Sequence, residues 1–109
     1  MIQYIKVGKI SDFSTKNYKC IKVLTRSILV VKREDNSFYA IEANCRHQNA
    51  LLPVGSIPKD FQVTCPRHGW RYDLKTGECL SPSSGEPLRF FPLKVEEEEI
   101  YVGTRPKTQ

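Results

Sequence analysis

The chain is poor in the residues that most catalytic machinery needs. It has two histidines, one tryptophan and one methionine in 109 residues. It has no apolar run approaching the roughly 20 residues that span a bilayer. Residues 1–6 show no apolar signal region, so the expectation is a cytoplasmic protein with no membrane partner. No Gly-rich dinucleotide fingerprint is present, and there is no internal repeat, low-complexity linker or long helical period. Lysine and arginine (17) outnumber aspartate and glutamate (12), giving a net charge of +5. These cations are scattered, at Lys6, Lys9, Lys16, Lys19, Lys22, Arg26, Lys32 and Arg33 and in a short tail at Arg105 and Lys107. Without a clustered basic helix or a stacking platform, nucleic acid is not the expected partner. An acidic docking surface on a partner protein fits better, because complementary charge speeds and orients transient encounters.

What the chain does have is a concentrated set of metal donors. Both histidines sit beside a cysteine, as Cys45-Arg46-His47 and Cys65-Pro66-Arg67-His68, with seventeen residues between the two motifs. Two loops that each offer one thiolate and one imidazole suit a [2Fe–2S] cluster with both sulfurs on one iron and both nitrogens on the other. A tetrahedral zinc site takes the same donors, but zinc modules usually pair like with like, as C-x(2–4)-C followed by H-x(3–5)-H. Cys20 and Cys79 lie outside the motifs. With no sign of an oxidising compartment, they are expected as buried thiols acting as small apolar residues, rather than as a disulfide or extra ligands.

The run CPRHGWRYD over residues 65–73, followed by Thr76 and Gly77, resembles the second cluster-binding loop of Rieske proteins. Pro82, the stretch from Pro87 to Val95, and residues 100–102 resemble the closing strands of Rieske-type ferredoxins, the ferredoxin components of ring-hydroxylating oxygenase systems. The likeness runs in order over about residues 27–103. It implies that Cys45 and Cys65 bind the inner iron of one [2Fe–2S] cluster, and that His47 and His68 bind the outer iron. Respiratory-chain relatives clip their two loops with a disulfide, but Ala50 and Arg67 stand at those positions here. Those relatives also place a serine hydroxyl where this chain has Trp70, whereas Tyr72 stands where they use a tyrosine near a cluster sulfur. Hydrogen bonds to the sulfurs raise the potential, so the expected value lies low in the Rieske range of roughly −150 to +300 mV. Trp70 is expected to serve mainly in packing.

The loop details carry further expectations. Many relatives follow the first histidine with glycines, whereas this chain reads QNALLPVG over residues 48–55. Asn49 tolerates a left-handed backbone. Leu51 is expected to plug the loop against the fold, and Leu52 to cover the cluster or lie exposed. The loop SPSSGEP over residues 81–87 is expected to shield the cluster, although it also reads as an ordinary turn-rich connection. Arg46 and Arg67 either present charge beside the histidines or are solvated loop tips.

Elsewhere the pattern is one of short β segments. Apolar alternation or compact β-branched runs occur at residues 4–7, 20–24, 28–31, 38–41, 61–64, 90–95 and 100–102, with polar turns at 34–37 and 73–77. The glutamates at 96–99 read as a solvated hairpin end. This predicts one all-β domain over residues 1–109: an antiparallel β-sandwich base with a small cluster-binding subdomain at about 43–85.

Replacing two of the thiolates of an all-cysteine cluster by neutral imidazoles removes two negative charges, which makes an added electron more welcome. Such ligation consumes both histidines. No iron triad of two histidines and a carboxylate can be built from what remains, so the chain is not expected to be an enzyme by itself. The expected function is that of a soluble one-electron carrier, taking an electron from an NAD(P)H-dependent reductase and passing it to a terminal oxygenase or other redox enzyme. A permanent small subunit like those of nitrite reductases, and a zinc-stabilised interaction module, are the alternatives.

Overall fold

The four consecutive apolar residues Ile28, Leu29, Val30 and Val31 are all buried. A strand can bury every residue only if both faces of its sheet are covered, and that requirement organises the whole molecule. The structure, a computed structural model, describes residues 2–46 and 50–107. Among the described residues ten strands are formed: β1 (Tyr4–Lys9), β2 (Tyr18–Val23), β3 (Arg26–Lys32), β4 (Phe38–Glu42), β5 (Gln62–Thr64), β6 (Arg71–Asp73), β7 (Cys79–Ser81), β8 (Phe90–Phe91), β9 (Leu93–Glu96) and β10 (Glu99–Gly103). They make three antiparallel sheets, ordered β1-β10-β9, β2-β3-β4-β8 and β5-β6-β7.

The four-stranded sheet is the middle layer. Ile28, Val30 and Ala40 face one way, into a cluster with Phe13, Phe91, Ile100 and Val102. Leu29, Val31, Tyr39 and Ile41 face the other way, joining Val63, Tyr72, Leu74 and both motif cysteines. The period of two along β3 and β4 therefore feeds two cores at once. The first core holds the sandwich base together. The second attaches the β5-β6-β7 sheet and its loops.

The expected all-β architecture is observed, with local differences. The run at 90–95 is split at Pro92: β8 pairs with β4, while β9 pairs with β10. Proline has no N–H to donate to a ladder, so the chain changes sheets there. A 3₁₀ turn at Ile10–Phe13 was not foreseen; its Asp12 carboxylate accepts the Lys9 backbone N–H at 3.0 Å. The glutamate turn is a solvated hairpin end as expected, with Glu97 and Glu98 at φ of 50° and 68°. Two successive left-handed residues match the twist of a tight hairpin. Cys79 is buried, but Cys20 is exposed. Cys20 lies on β2, which has a neighbour on one side only, so the expectation of two buried thiols fails for this edge position. Among the described residues no helix is long and apolar enough to cross a membrane.

Candidate metal centre

β4 and β5 each end in a loop that begins with a motif cysteine, and the two loops are closed alike. The Cys45 N–H donates to the Ala50 carbonyl and the Cys65 N–H to the Trp70 carbonyl, both at 2.7 Å and both five residues ahead. Within the second loop the Gly69 N–H returns to the Cys65 carbonyl at 3.0 Å, with Gly69 at φ 74°. That left-handed conformation is one glycine adopts freely. The first loop is anchored from outside as well. The Asn44 side-chain carbonyl accepts the Ser27 N–H at 3.0 Å, and the Leu52 N–H donates to the Ala43 carbonyl at 2.8 Å.

These loops bring Cys45 and Cys65 into one buried cluster, each 1 % exposed, while His68 stands exposed on the second loop. His47 lies outside the described residues. Among the described residues no three Cys, His, Asp or Glu side chains form a metal-holding group. The arrangement is therefore two buried thiols with an exposed histidine on the second loop, which suits mixed ligation of a two-iron cluster. None of the four cysteines is in a disulfide.

Tyr72 is completely buried, and its phenol lies 3.5 Å from the Cys45 sulfur. The Arg46 N–H donates to the phenol oxygen at 3.0 Å, and a thiolate at Cys45, having no proton of its own, could only accept from the phenol. Burial first, and then the bond to Cys45, hold the Tyr72 hydroxyl well above its ordinary pKa, so it remains a donor. A donor to a ligand sulfur favours the more negative, reduced form. Tyr72→Phe is therefore expected to lower the reduction potential. A net hydrogen bond of about 1 kcal/mol corresponds to about 40 mV for a one-electron couple. Protein-film voltammetry on the two proteins checks this; an unchanged potential would leave Tyr72 with a packing role only.

Leu51 does not plug the loop against the fold, and Leu52 does not lie exposed. Leu51 is 55 % exposed, whereas Leu52 is 1 % exposed and sits in the core beside both cysteines. Leu51 bridges to Asn44 in antiparallel fashion, and extended backbone turns successive side chains to opposite faces. Leu52 then points inward and contributes about 2 kcal/mol of apolar burial.

Arg46 is not a free charge beside the histidine. It pairs with Glu86 and lies 3.5 Å from Glu42. Glu42, at the end of β4, is buried and holds Arg89 as well: Oε1 accepts the Arg89 N–H at 2.7 Å and Nε at 3.2 Å, and Oε2 accepts Nη2 at 3.2 Å. The side-chain bond to Glu42 raises the Arg89 pKa. Sequence reasoning missed this brace, which joins the first loop to residues 86–89. Arg67, in contrast, is exposed as a loop tip.

The 81–87 loop lies against the same region. The Cys79 thiol donates to the Pro82 carbonyl at 3.3 Å. A Cβ on Gly85 would come within 2.5 Å of that sulfur and 2.8 Å of the Trp70 ring, so glycine is what lets this loop approach so closely. Trp70 is half-buried, with its ring 6.4 Å from that of Tyr72. The loop thus packs on Trp70, beside the second motif.

Residues 3–92 match the model of the Rieske [2Fe–2S] domain. The chain is 30% identical over 105 residues to the ferredoxin component of the alkene monooxygenase system of Xanthobacter autotrophicus, covering 96% of this chain and 84% of that protein. It is 31% identical over 84 residues to the 3-phenylpropionate/cinnamic acid dioxygenase ferredoxin subunit of Escherichia coli K12, covering 77% and 79%. Its fold superposes with a TM-score of 0.72 and 30% identity on a chain of the complex of reduced oxygenase and oxidized ferredoxin in carbazole 1,9a-dioxygenase, covering 97% of each chain.

Proposed function

Since the chain belongs to the Rieske [2Fe–2S] domain family, with its one [2Fe–2S] cluster, we propose that it is a Rieske ferredoxin, a one-electron carrier that serves an oxygenase. The observation that carries this reading is that two thiols, buried in one cluster, head two loops closed alike, the second of which carries the exposed His68. Cys45, His47, Cys65 and His68 are the proposed ligands, and residues 43–85 the subdomain that presents them within a single domain. When bound, the cluster supplies a reversible one-electron couple.

The remaining work falls to the chain's own residues. Cys45 and Cys65 bring their negative charge from the buried side, where Leu52, Val54 and Val63 keep water away. The Tyr72 hydroxyl, 3.5 Å from the Cys45 sulfur, would donate its proton to a thiolate there. His68 and the exposed Leu51 give the outer end a mixed polar and apolar contact surface. The proposed partners are an NAD(P)H-dependent reductase and a terminal oxygenase or other redox enzyme, each docking through an acidic surface suited to a chain of net charge +5. With both histidines engaged, the chain needs no catalytic site of its own for this role.

The test is electron paramagnetic resonance on anaerobically purified protein, with iron and zinc analysis. The expected result is a silent oxidised form, a rhombic signal of low average g after dithionite, and two irons per chain. Zinc without that signal would overturn the reading. Tight co-purification with one large partner would replace the shuttle by a fixed subunit.

A further inference from the structure

We propose that the end of the molecule away from the ligand loops carries a second docking site, a basic cleft that takes an acidic, extended segment of a redox partner. The partner's being a redox enzyme rests on the carrier reading above. The cleft is open, of about 580 Å³, and its lining includes Lys32, Arg33, Lys59 and Lys75 around Tyr39 and Phe61.

Its position follows from the topology. β5 leads from Phe61 toward Cys65, and β6 returns to Asp73 before Lys75, so Phe61 and Lys75 mark the far end of the hairpin. Likewise the β3–β4 turn, with Lys32 and Arg33, lies at the end of β4 opposite the first ligand loop. At about 3.3 Å per residue, the path from Phe61 to Cys65 is roughly 13 Å long. A segment seated here leaves His68 and Leu51 uncovered.

The cleft is built rather than incidental. The Tyr39 hydroxyl donates to the Leu74 carbonyl at 2.9 Å, the Leu74 N–H to the Phe61 carbonyl at 2.8 Å, and the Lys32 N–H to the Asn17 carbonyl at 2.7 Å. Burial pushes the Tyr39 phenol up to about 12, so this donor persists. The Arg33 guanidinium lies over the Tyr39 ring at 4.5 Å and the Lys75 ammonium over the Phe61 ring at 5.5 Å. Such stacking restrains the cations before any ligand arrives, which lowers the entropy cost of binding.

The charge of the cleft calls for an external anion. Lys6, Lys19, Lys94, Arg46 and Arg89 each meet a carboxylate of the chain itself. Among the described residues Lys32, Lys59 and Lys75 form no salt bridge, while Arg33 donates to the Ser37 hydroxyl at 3.2 Å and its charge helps hold Asp35 ionised. Two carboxylates, Glu34 and Asp35, also line the cleft. Asp35 is turned onto its own hairpin, accepting the Ser37 N–H at 2.9 Å and the Ser37 hydroxyl at 2.6 Å. The four cations come from three separate stretches of chain and line an open cleft of about 580 Å³, so an extended run of carboxylates fits them better than a single small anion. A hold at this end would keep the carrier close to one partner while the ligand loops meet another, raising the effective concentration for transfer.

The experiment titrates cluster-loaded, ¹⁵N-labelled protein with an oligoglutamate peptide at two salt concentrations. The expected result is a set of shift changes confined to residues 32–35, 59–61 and 75, weaker at high salt, with the reduced spectrum and the potential unmoved. Lys32→Gln/Lys59→Gln/Lys75→Gln should weaken binding about tenfold, whereas Lys9→Gln/Lys22→Gln/Lys94→Gln should not. Equal binding to both variants, shift changes elsewhere than residues 32–35, 59–61 and 75, or no binding at all would overturn the proposal. A protein that binds the peptide but lacks the reduced Rieske signal would overturn the carrier reading alone.

Discussion

Cys65→Ser is expected to leave the chain without iron. Purified anaerobically, the variant should hold close to none, and dithionite should raise no rhombic signal. A thiolate is the ligand this cluster type needs, and a serine hydroxyl is too weak an acid to replace it. Cys65 is 1 % exposed, and the described residues contain no ready group of other donors that could substitute. Because bound metal contributes directly to folding free energy, the melting temperature should also fall, by about 10 °C or more for a domain of this size. Cys79→Ser is the matched control. Cys79 is buried too, but its S–H bonds the Pro82 carbonyl at 3.3 Å, a bond that a hydroxyl can make. Its iron content should stay at the wild-type value. Full iron in Cys65→Ser would remove Cys65 from the ligand set, and loss of iron in Cys79→Ser would add Cys79 to it.

Glu42→Ala is expected to cost stability while sparing the cluster. Removing one member of a buried ion pair costs about 3–5 kcal/mol where the stranded charge stays buried. The Arg89 and Arg46 side chains are 41% and 21% exposed, so both can recover water and the expected loss is nearer 2 kcal/mol. The Arg89 backbone N–H also loses its acceptor. Urea unfolding of the cluster-loaded protein should show the lower midpoint, with iron content unchanged. Glu42→Gln, which keeps an acceptor oxygen in place, should lose about half as much. If Glu42→Ala also sheds iron, the brace holds the first loop in its ligating form as well as the fold.

The ligand motifs were legible because they are local. C-x-H and C-x-x-H place their donors within one turn of chain, and no tertiary contact is needed to read them. The strands were legible for a similar reason: a period of two, broken by turn residues, survives in a single sequence. The β-branched run at 28–31 was read as a strand, but its burial on both faces depends on two other sheets closing over it.

What failed or was missed depends on pairing across long distances. Leu51 and Leu52 are equally apolar, and which one faces inward is settled by the bridge of Leu51 to Asn44. Cys20 reads as a small apolar residue, yet the place of β2 at a sheet edge exposes it. Nothing in the sequence marks Glu42, which is paired by Arg89, 47 residues away. Arg46 reads either as charge presented beside the histidine or as a solvated loop tip, and Glu86, 40 residues on, pairs with it instead. The basic cleft was scattered charge in the sequence, since Lys32, Lys59 and Lys75 meet only through the ends of three separate strands. By itself the sequence determined the two Cys/His motifs from which the proposed ligands are drawn and that the chain forms strands, because both depend on neighbours along the backbone. Only the tertiary structure decided which side chains are buried and which charges are neutralised, because each depends on segments that folding alone brings together.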